Sequence, residues 1–286
     1  MRFVSFARDG AMDIGVLDAS GETVIPLSGK KGLPSCMNAF LDMGEAGVAA
    51  AREILSGGES IPLAGVTVLA PIPRPRSSIL CVGRNYLEHV KETNASNPVP
   101  THPIIFTKPP ASVVPSGAVV DLHADLTRSV DYEGEVAVII GRKTSKVAED
   151  KAMEHVFGYT ILNDVTARDL QKRHTQWVIG KGLDTFCPMG PYITHVSAMP
   201  DPADIAIRTR VNGEVRQEGN TRDLIFTIPY LIALISSGMT LEPGDIIATG
   251  TPSGVGAGFN PPRFLRKGDT VEITVDGIGV LRNTFA

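Results

Sequence analysis

Cysteine is scarce. Cys36, Cys81 and Cys187 are the only three in 286 residues, too few and too scattered for a disulfide framework. No Cys-x-x-Cys pair exists, which removes the common thiolate zinc sites and dithiol redox motifs. The three read as buried, reduced thiols of a cytosolic protein. Basic blocks are missing too. Twenty-seven Lys and Arg stand against 31 Asp and Glu, a formal net charge of -4, and no stripe of positive charge prepares the chain for nucleic acid. Long apolar runs are also absent. The start, Met1 to Phe6, lacks the apolar core of a signal peptide. The most apolar stretch, Leu224 to Ile235, is interrupted by Pro229 and falls short of the about 20 residues that span a bilayer. These absences point to a soluble, cytoplasmic protein without a membrane or nucleic-acid partner. Disorder is excluded by 43 % hydrophobic and 20 % charged residues, a globular balance.

What the chain has is punctuation. Twenty-nine glycines and 21 prolines separate many short elements. Residues 2–7 and 13–17 alternate around Arg8-Asp9-Gly10 as a β-hairpin. Helical segments follow at about 36–43 and 46–55, and a short strand at Val66–Leu69. Pro71-Ile72-Pro73-Arg74-Pro75 is a stiff connector, which sets a small N-terminal α+β domain at 1–72 against a larger domain at 73–286. Strands are expected at 78–82, 103–106, 133–140, 159–162, 206–211, 245–249 and 270–275, with a hairpin at Asn212-Gly213. Few long helices lie between them, so the body is mixed and mostly β, an α+β class rather than a βαβ alternation. One helix is well marked: Thr227 caps it, Pro229 fits its first turn, Gly238 ends it, and apolar residues all round predict burial.

Asp131, Glu133 and Glu135 alternate along a predicted strand and so share one face, neighbours roughly 6–7 Å apart. Ala137 and Ile139 continue that face as apolar. Crowded carboxylates at a buried entrance repel one another unless a cation intervenes. Asp164, at the end of another strand, can complete an all-oxygen set that selects Mg²⁺ or Mn²⁺, or Ca²⁺, over zinc. On spacing alone this reading and that of a charged strand edge that resists aggregation stand about even. His89 and Glu92, at i and i+3, share a helix face, so the carboxylate can orient the imidazole as a base; an ordinary surface pair has the same spacing. Gln171 lies two helical turns beyond Asp164. Lys181 is bracketed by Gly180 and Gly182. The loop Thr249 to Gly256 is glycine-rich but lacks the residues of a P-loop, and exposes backbone donors and Thr251. His102, His123, His155, His174 and His195 have no partner at a telling spacing.

Together these motifs resemble the fumarylacetoacetate hydrolase family. The matching pieces are Val82-Gly83-Arg84-Asn85-Tyr86, Asp131-Tyr132-Glu133-Gly134-Glu135, Asn163 to Asp169, Gly180-Lys181, and Thr249 to Gly256, in the family's order across about 78–286. The resemblance implies a catalytic domain of rolled mixed β-sheets, paired as a homodimer, with Glu133, Glu135 and Asp164 holding Mg²⁺ or Mn²⁺. It implies that His89 and Glu92, on a lid helix, activate water, that Lys181 stabilises the leaving enolate, and that Arg84, Tyr86, Gln171 and Thr251 contact a small oxo-acid substrate. Many relatives have Ser and Phe where this chain has Gly182 and Leu183, which puts local substrate contacts in doubt. The implied reaction is metal-dependent hydrolysis of a carbon–carbon bond in a 1,3-dioxo acid, as in aromatic catabolism. A 2-oxo acid decarboxylase, a hydroxymuconate-type isomerase and a sugar-acid dehydratase are alternatives; a non-catalytic, metal-stabilised protein is a remote one.

Overall fold

A computed structural model describes residues 1–93, 98–199 and 201–286. Its spine is a mixed sheet of twelve strands among the described residues. The centre is the strand Gly134–Ile140, paired antiparallel with Val156–Asn163 on one side and with Ile246–Ala248 on the other. Beyond Ile246–Ala248 come Ile79–Gly83, parallel to it, and Ile104–Lys108. Beyond Val156–Asn163 comes Cys187–His195, and then the N-terminal strands Arg2–Arg8 and Ala11–Leu17. A second sheet of five strands orders Glu214–Asn220, Ala206–Val211, Thr270–Val275, Gly279–Phe285 and Val119–Val120. The α+β, mostly strand-built body expected from the punctuation is therefore present.

Every residue of Gly134–Ile140 is buried, because alternate side chains feed two different cores. Val136, Val138 and Ile140 pack into the cluster that holds Ile207, Ile273, Leu231 and Ile232. Ala137 and Ile139 pack into the cluster that holds Phe40, Leu41, Val48 and Ala51. Those last four come from the helices Met37–Asp42 and Gly44–Leu55, which lie where the sequence placed them. Thr227 caps the helix Ile228–Ser236, its Oγ1 accepting from the Tyr230 N–H.

The structure corrects four expectations. The predicted strand around residue 133 is interrupted: Val130–Asp131 forms a separate ribbon with Thr166–Ala167, and the long strand begins only at Gly134. Cys187–His195 carries two prolines and a glycine, which hide it as a strand, yet it is the longest among the described residues. Cys36 is exposed while Cys81 and Cys187 are buried, because it stands just outside the first helix rather than on its inner face. Leu234, expected inside, is 38 % exposed. Among the described residues no helix is long and apolar enough to cross a membrane.

His195 ends the long strand between the rings of Phe3 and Phe157, at 6.2 and 5.0 Å, and its Nδ1 meets the Ser197 hydroxyl at 2.9 Å. Burial and the neighbouring N-terminal ammonium hold its pKa below the ordinary histidine value. The unfolded chain therefore takes up the proton first, so this contribution to stability is complete above about pH 6.5 and is lost as the pH falls from there through the folded-state pKa. Urea midpoints measured at pH 7.5 and 5.5 should drop less in His195→Gln than in the parent; an equal drop refutes the assignment.

Candidate active site

The register Gly134↔Asn163 and Glu135↔Leu162 brings the two strand ends together. The Asp164 N–H donates to the Glu133 carbonyl at 2.8 Å, and the Glu133 N–H donates to Asn163 Oδ1 at 3.0 Å. As a result Glu133, Glu135 and Asp164, all buried, each present an oxygen within 4.8 Å of the others. Asp131 is not part of this group. The break before Gly134 turns it toward the glycine loop, where it accepts from the Gly256 and Ala257 N–H groups at 2.6 and 3.0 Å.

Three buried cations surround the carboxylates. Lys181 Nζ lies 2.7 Å from Glu133 Oε2 and 2.5 Å from Asp164 Oδ2. Lys108 Nζ, fully buried, lies 2.6 Å from Asp164 Oδ1 and also donates to the carbonyls of Val165 and Lys181. Arg168 bridges Asp131 at 2.8 Å and Glu133 at 2.6 Å. Burial alone would raise the pKa of Glu133, but Lys181 and Arg168 outweigh it and hold the group well below the usual carboxylate range. Glu135 behaves oppositely. Burial and the charges of Asp164 and Glu133 push it well up, and the hydrogen bond its carboxylate accepts is from the Gly250 N–H, at 2.8 Å. Four carboxylates thus face three cations, and Glu135 carries the unbalanced charge. A hard divalent ion fits this donor set: all oxygen, buried, and one negative charge in excess.

Across the site, His89 Nδ1 lies 2.6 Å from Glu92 Oε1. The other Glu92 oxygen accepts from the Gly254 N–H at 2.7 Å, which fixes the helix Leu87–Thr93 against the glycine loop. A Cβ on Gly258 would stand 2.4 Å from that carboxylate, so the loop must be bare there. Asn85 ties the start of the same segment to the loop, donating to the Thr249 carbonyl at 2.8 Å. Thr251 donates to the Gly134 carbonyl at 2.9 Å and accepts from Gln217 Nε2 at 2.7 Å.

A cavity of about 340 Å³ opens at this cluster, within the size of a small-molecule site. Arg84, His89, Glu133, Glu135, Gln171, Lys181 and Thr251, all candidates named from the sequence, reach it. Asp164 lies behind Glu133 and Lys181 with no exposed surface, and Glu92 stands behind His89. Tyr86 is not among the lining residues; it is buried in the apolar core and bridged to Leu224. Sequence reasoning missed Lys108, Arg168, Gln217, Phe106, Trp177, Lys172 and His174. A weak signal existed for Lys108, a lysine closing an apolar strand before two prolines.

The family model for the C-terminal part of fumarylacetoacetate (FAA) hydrolases matches residues 78–286. The chain belongs to the fumarylacetoacetate hydrolase family. It is an enzyme of that family, and residues 1–71 match the model named Rv2993c-like, N-terminal. It is 54 % identical over 221 residues, 77 % of this chain and 73 % of the relative, to the oxaloacetate tautomerase YisK of Bacillus subtilis (strain 168). It is 43 % identical to the human mitochondrial oxaloacetate tautomerase FAHD2A, across 99 % of this chain and 91 % of the relative. A solved structure of the family's fold is that of maleylpyruvate hydrolase from Sphingobium sp. SYK-6 in complex with manganese(II) ion and pyruvate. It has a TM-score of 0.81 and 32 % identity, covering 100 % of this chain and 99 % of that one.

Proposed function

We propose that this chain interconverts the keto and enol forms of a short 2-oxo dicarboxylic acid of the oxaloacetate kind. The observation that carries the reading is the cavity itself. One oriented base, His89, shares about 340 Å³ with Glu133 and Glu135 and with Arg84, Arg168, Lys172 and Lys181, and Asp164 stands behind the two glutamates. Arg168 and Lys181 are held by the site's own carboxylates, so Arg84 and Lys172 are the lining cations that can meet a small dianion. Identity of 43 % over nearly the whole chain to a protein named as an oxaloacetate tautomerase supports it.

Glu133, Glu135 and Asp164 would hold Mg²⁺ or Mn²⁺, with Ca²⁺ as the third candidate, and the ion supplies Lewis-acid polarisation of a carbonyl when bound. The side chains do the rest. Arg84 and Lys172 draw in and orient the two carboxylates of the substrate, while Arg168 holds Glu133 and Asp131 in place. Glu92 holds Nδ1 of His89, which leaves Nε2 to take a proton from the carbon beside the ketone and to deliver it to the ketone oxygen, with the reverse transfer restoring the keto form. The buried ammonium of Lys181 offsets the negative charge that develops between the two transfers. Pairing as a homodimer, a cytoplasmic location and the domain division at 72/73 belong to the same proposal.

The second reading is cleavage of a carbon–carbon bond in an acylpyruvate. It is favoured by the same His89–Glu92 pair, which can equally deprotonate water. One experiment separates the two. Metal-loaded protein is mixed with oxaloacetate, and enol absorbance is followed alongside pyruvate release; acylpyruvates are then tested for cleavage, with EDTA controls. Accelerated tautomer exchange without bond cleavage is expected. Cleavage of acylpyruvates with no faster tautomer exchange would overturn the first reading in favour of the second. Under either reading His89→Ala should lower kcat by about 10²–10⁴. Glu92→Gln should lower kcat less and leave KM nearly unchanged. Full activity in Glu92→Gln would remove the pair from the chemistry.

A further inference from the structure

Trp177 is the chain's single tryptophan, and its surroundings are unusual for one. It sits half-buried at the end of an exposed loop: His174, Thr175 and Gln176 before it and Val178 and Ile179 after it are all exposed. Among the described residues it takes no part in the three apolar clusters. Its ring lines the cavity instead. There it meets Phe106 edge-on with centroids 5.3 Å apart, and Phe106 in turn lies 4.9 Å from Lys181 Nζ. The indole is therefore the second ring out from the ammonium that touches Glu133 and Asp164.

Gly83 is the seat of this ring. A Cβ at that position would stand 2.5 Å from Cζ3 and 3.0 Å from Cη2 of Trp177. Gly83 is not among the positive-φ residues, so its backbone does not demand glycine. The missing side chain serves the indole.

We propose that Trp177 is the end wall of the cavity and sets the upper length of the oxo-acid it admits. This rests on the oxo-acid reading of the site and adds its size limit. A substrate tail that outgrows the space must push the indole off both Phe106 and Gly83. One methylene too many or too few against an apolar wall is worth about 10–200-fold in selectivity, so a wall placed here sets a sharp upper length for the tail.

The test is calorimetric binding of linear 2-oxo acids, from 2-oxobutanoate to 2-oxodecanoate, to the full Mn²⁺-loaded chain. Affinity of the parent should fall by about tenfold or more at the first acid whose tail reaches the indole. Trp177→Ala should move that fall to a longer acid, and Trp177→Phe should move it less. Gly83→Ala should unseat the ring, read as a shifted tryptophan emission in the unliganded protein. The same length profile in the parent and in Trp177→Ala, or no binding of any acid by the loaded parent, overturns the proposal. Failure of the tautomerase reading is distinguishable. A displaced affinity step without tautomerisation of oxaloacetate keeps the wall and removes the reaction, and tautomerisation with an unmoved step does the reverse.

Discussion

In a Glu135→Gln protein, added Mn²⁺ should produce no thermal stabilisation, while the metal-free variant should melt at or above the parent's temperature. The two halves of this result have one cause. Glu135 is buried beside Glu133 and Asp164 without an ion-pair partner of its own among the described residues, so in the absence of metal its charge is a cost, and a neutral amide of the same shape relieves it. Under the proposed metal assignment the same carboxylate would be one of three protein ligands, and its loss would empty the site. Metal at about a hundredfold excess over its dissociation constant stabilises a folded protein by about 2.7 kcal/mol, which for a chain of this size is a shift of roughly 5 °C. The parent should show that shift and the variant none. Glu133→Ala makes the contrast: it should also lose metal, but it leaves Lys181 with Asp164 alone and Arg168 with Asp131 alone and should lower the metal-free melting temperature. A Glu135→Gln protein that still gains several degrees with Mn²⁺ would exclude Glu135 as a ligand.

Lys108→Met should be the most destabilising single change near the site. Lys108 has no exposed surface, and its ammonium is shared between the Asp164 carboxylate and the carbonyls of Val165 and Lys181. Methionine fills much the same space without the charge. The carbonyls then lose a donor, and Asp164 keeps only Lys181 to balance it. Removing one partner of a buried pair costs about 3–5 kcal/mol, to be read from chemical denaturation of the metal-free protein. A cost below about 1 kcal/mol, in the range of a surface ion pair, would show that Asp164 does not depend on this lysine. Activity should fall as well, since Lys108 holds both the side chain of Asp164 and the backbone of Lys181.

The carboxylate triad was legible in the sequence because each member stands at a simple place: alternate positions of one strand and the exit of its neighbour. The His89–Glu92 pair was legible for a similar reason, since i and i+3 meet on any helix. Of the cations, Lys181 was marked by its bracketing glycines, but Lys108 and Arg168 were not: they come from separate segments, and nothing in their local spacing announces that strand pairing will gather them around Asp164 and Glu133. Asp131 shows the converse. Its period-two spacing was correct for an unbroken strand, but the ribbon with Thr166–Ala167 interrupts the strand at Tyr132 and Glu133, and the local pattern carries no trace of that. Tyr86 was drawn toward the substrate by its motif, while the fold uses it in the core. The strand Cys187–His195 was hidden by residues that normally end strands.

That hidden strand has a consequence for dissection of the molecule. Met1 to Phe3 dock along its rim, with Arg2 opposite Thr194, Phe3 opposite Ile193, and the His195 N–H donating to the Met1 carbonyl. Phe3 also stacks near Phe40 and Phe157 at 5.0 and 5.3 Å. Truncating the chain before residue 73 would leave part of that rim with unpaired backbone groups, and would bare the apolar surface under Phe157 and Ile193. Open strand edges of this kind template association between copies. The isolated larger segment is therefore a candidate for aggregation even with its carboxylates, its histidine and its cavity walls all still encoded.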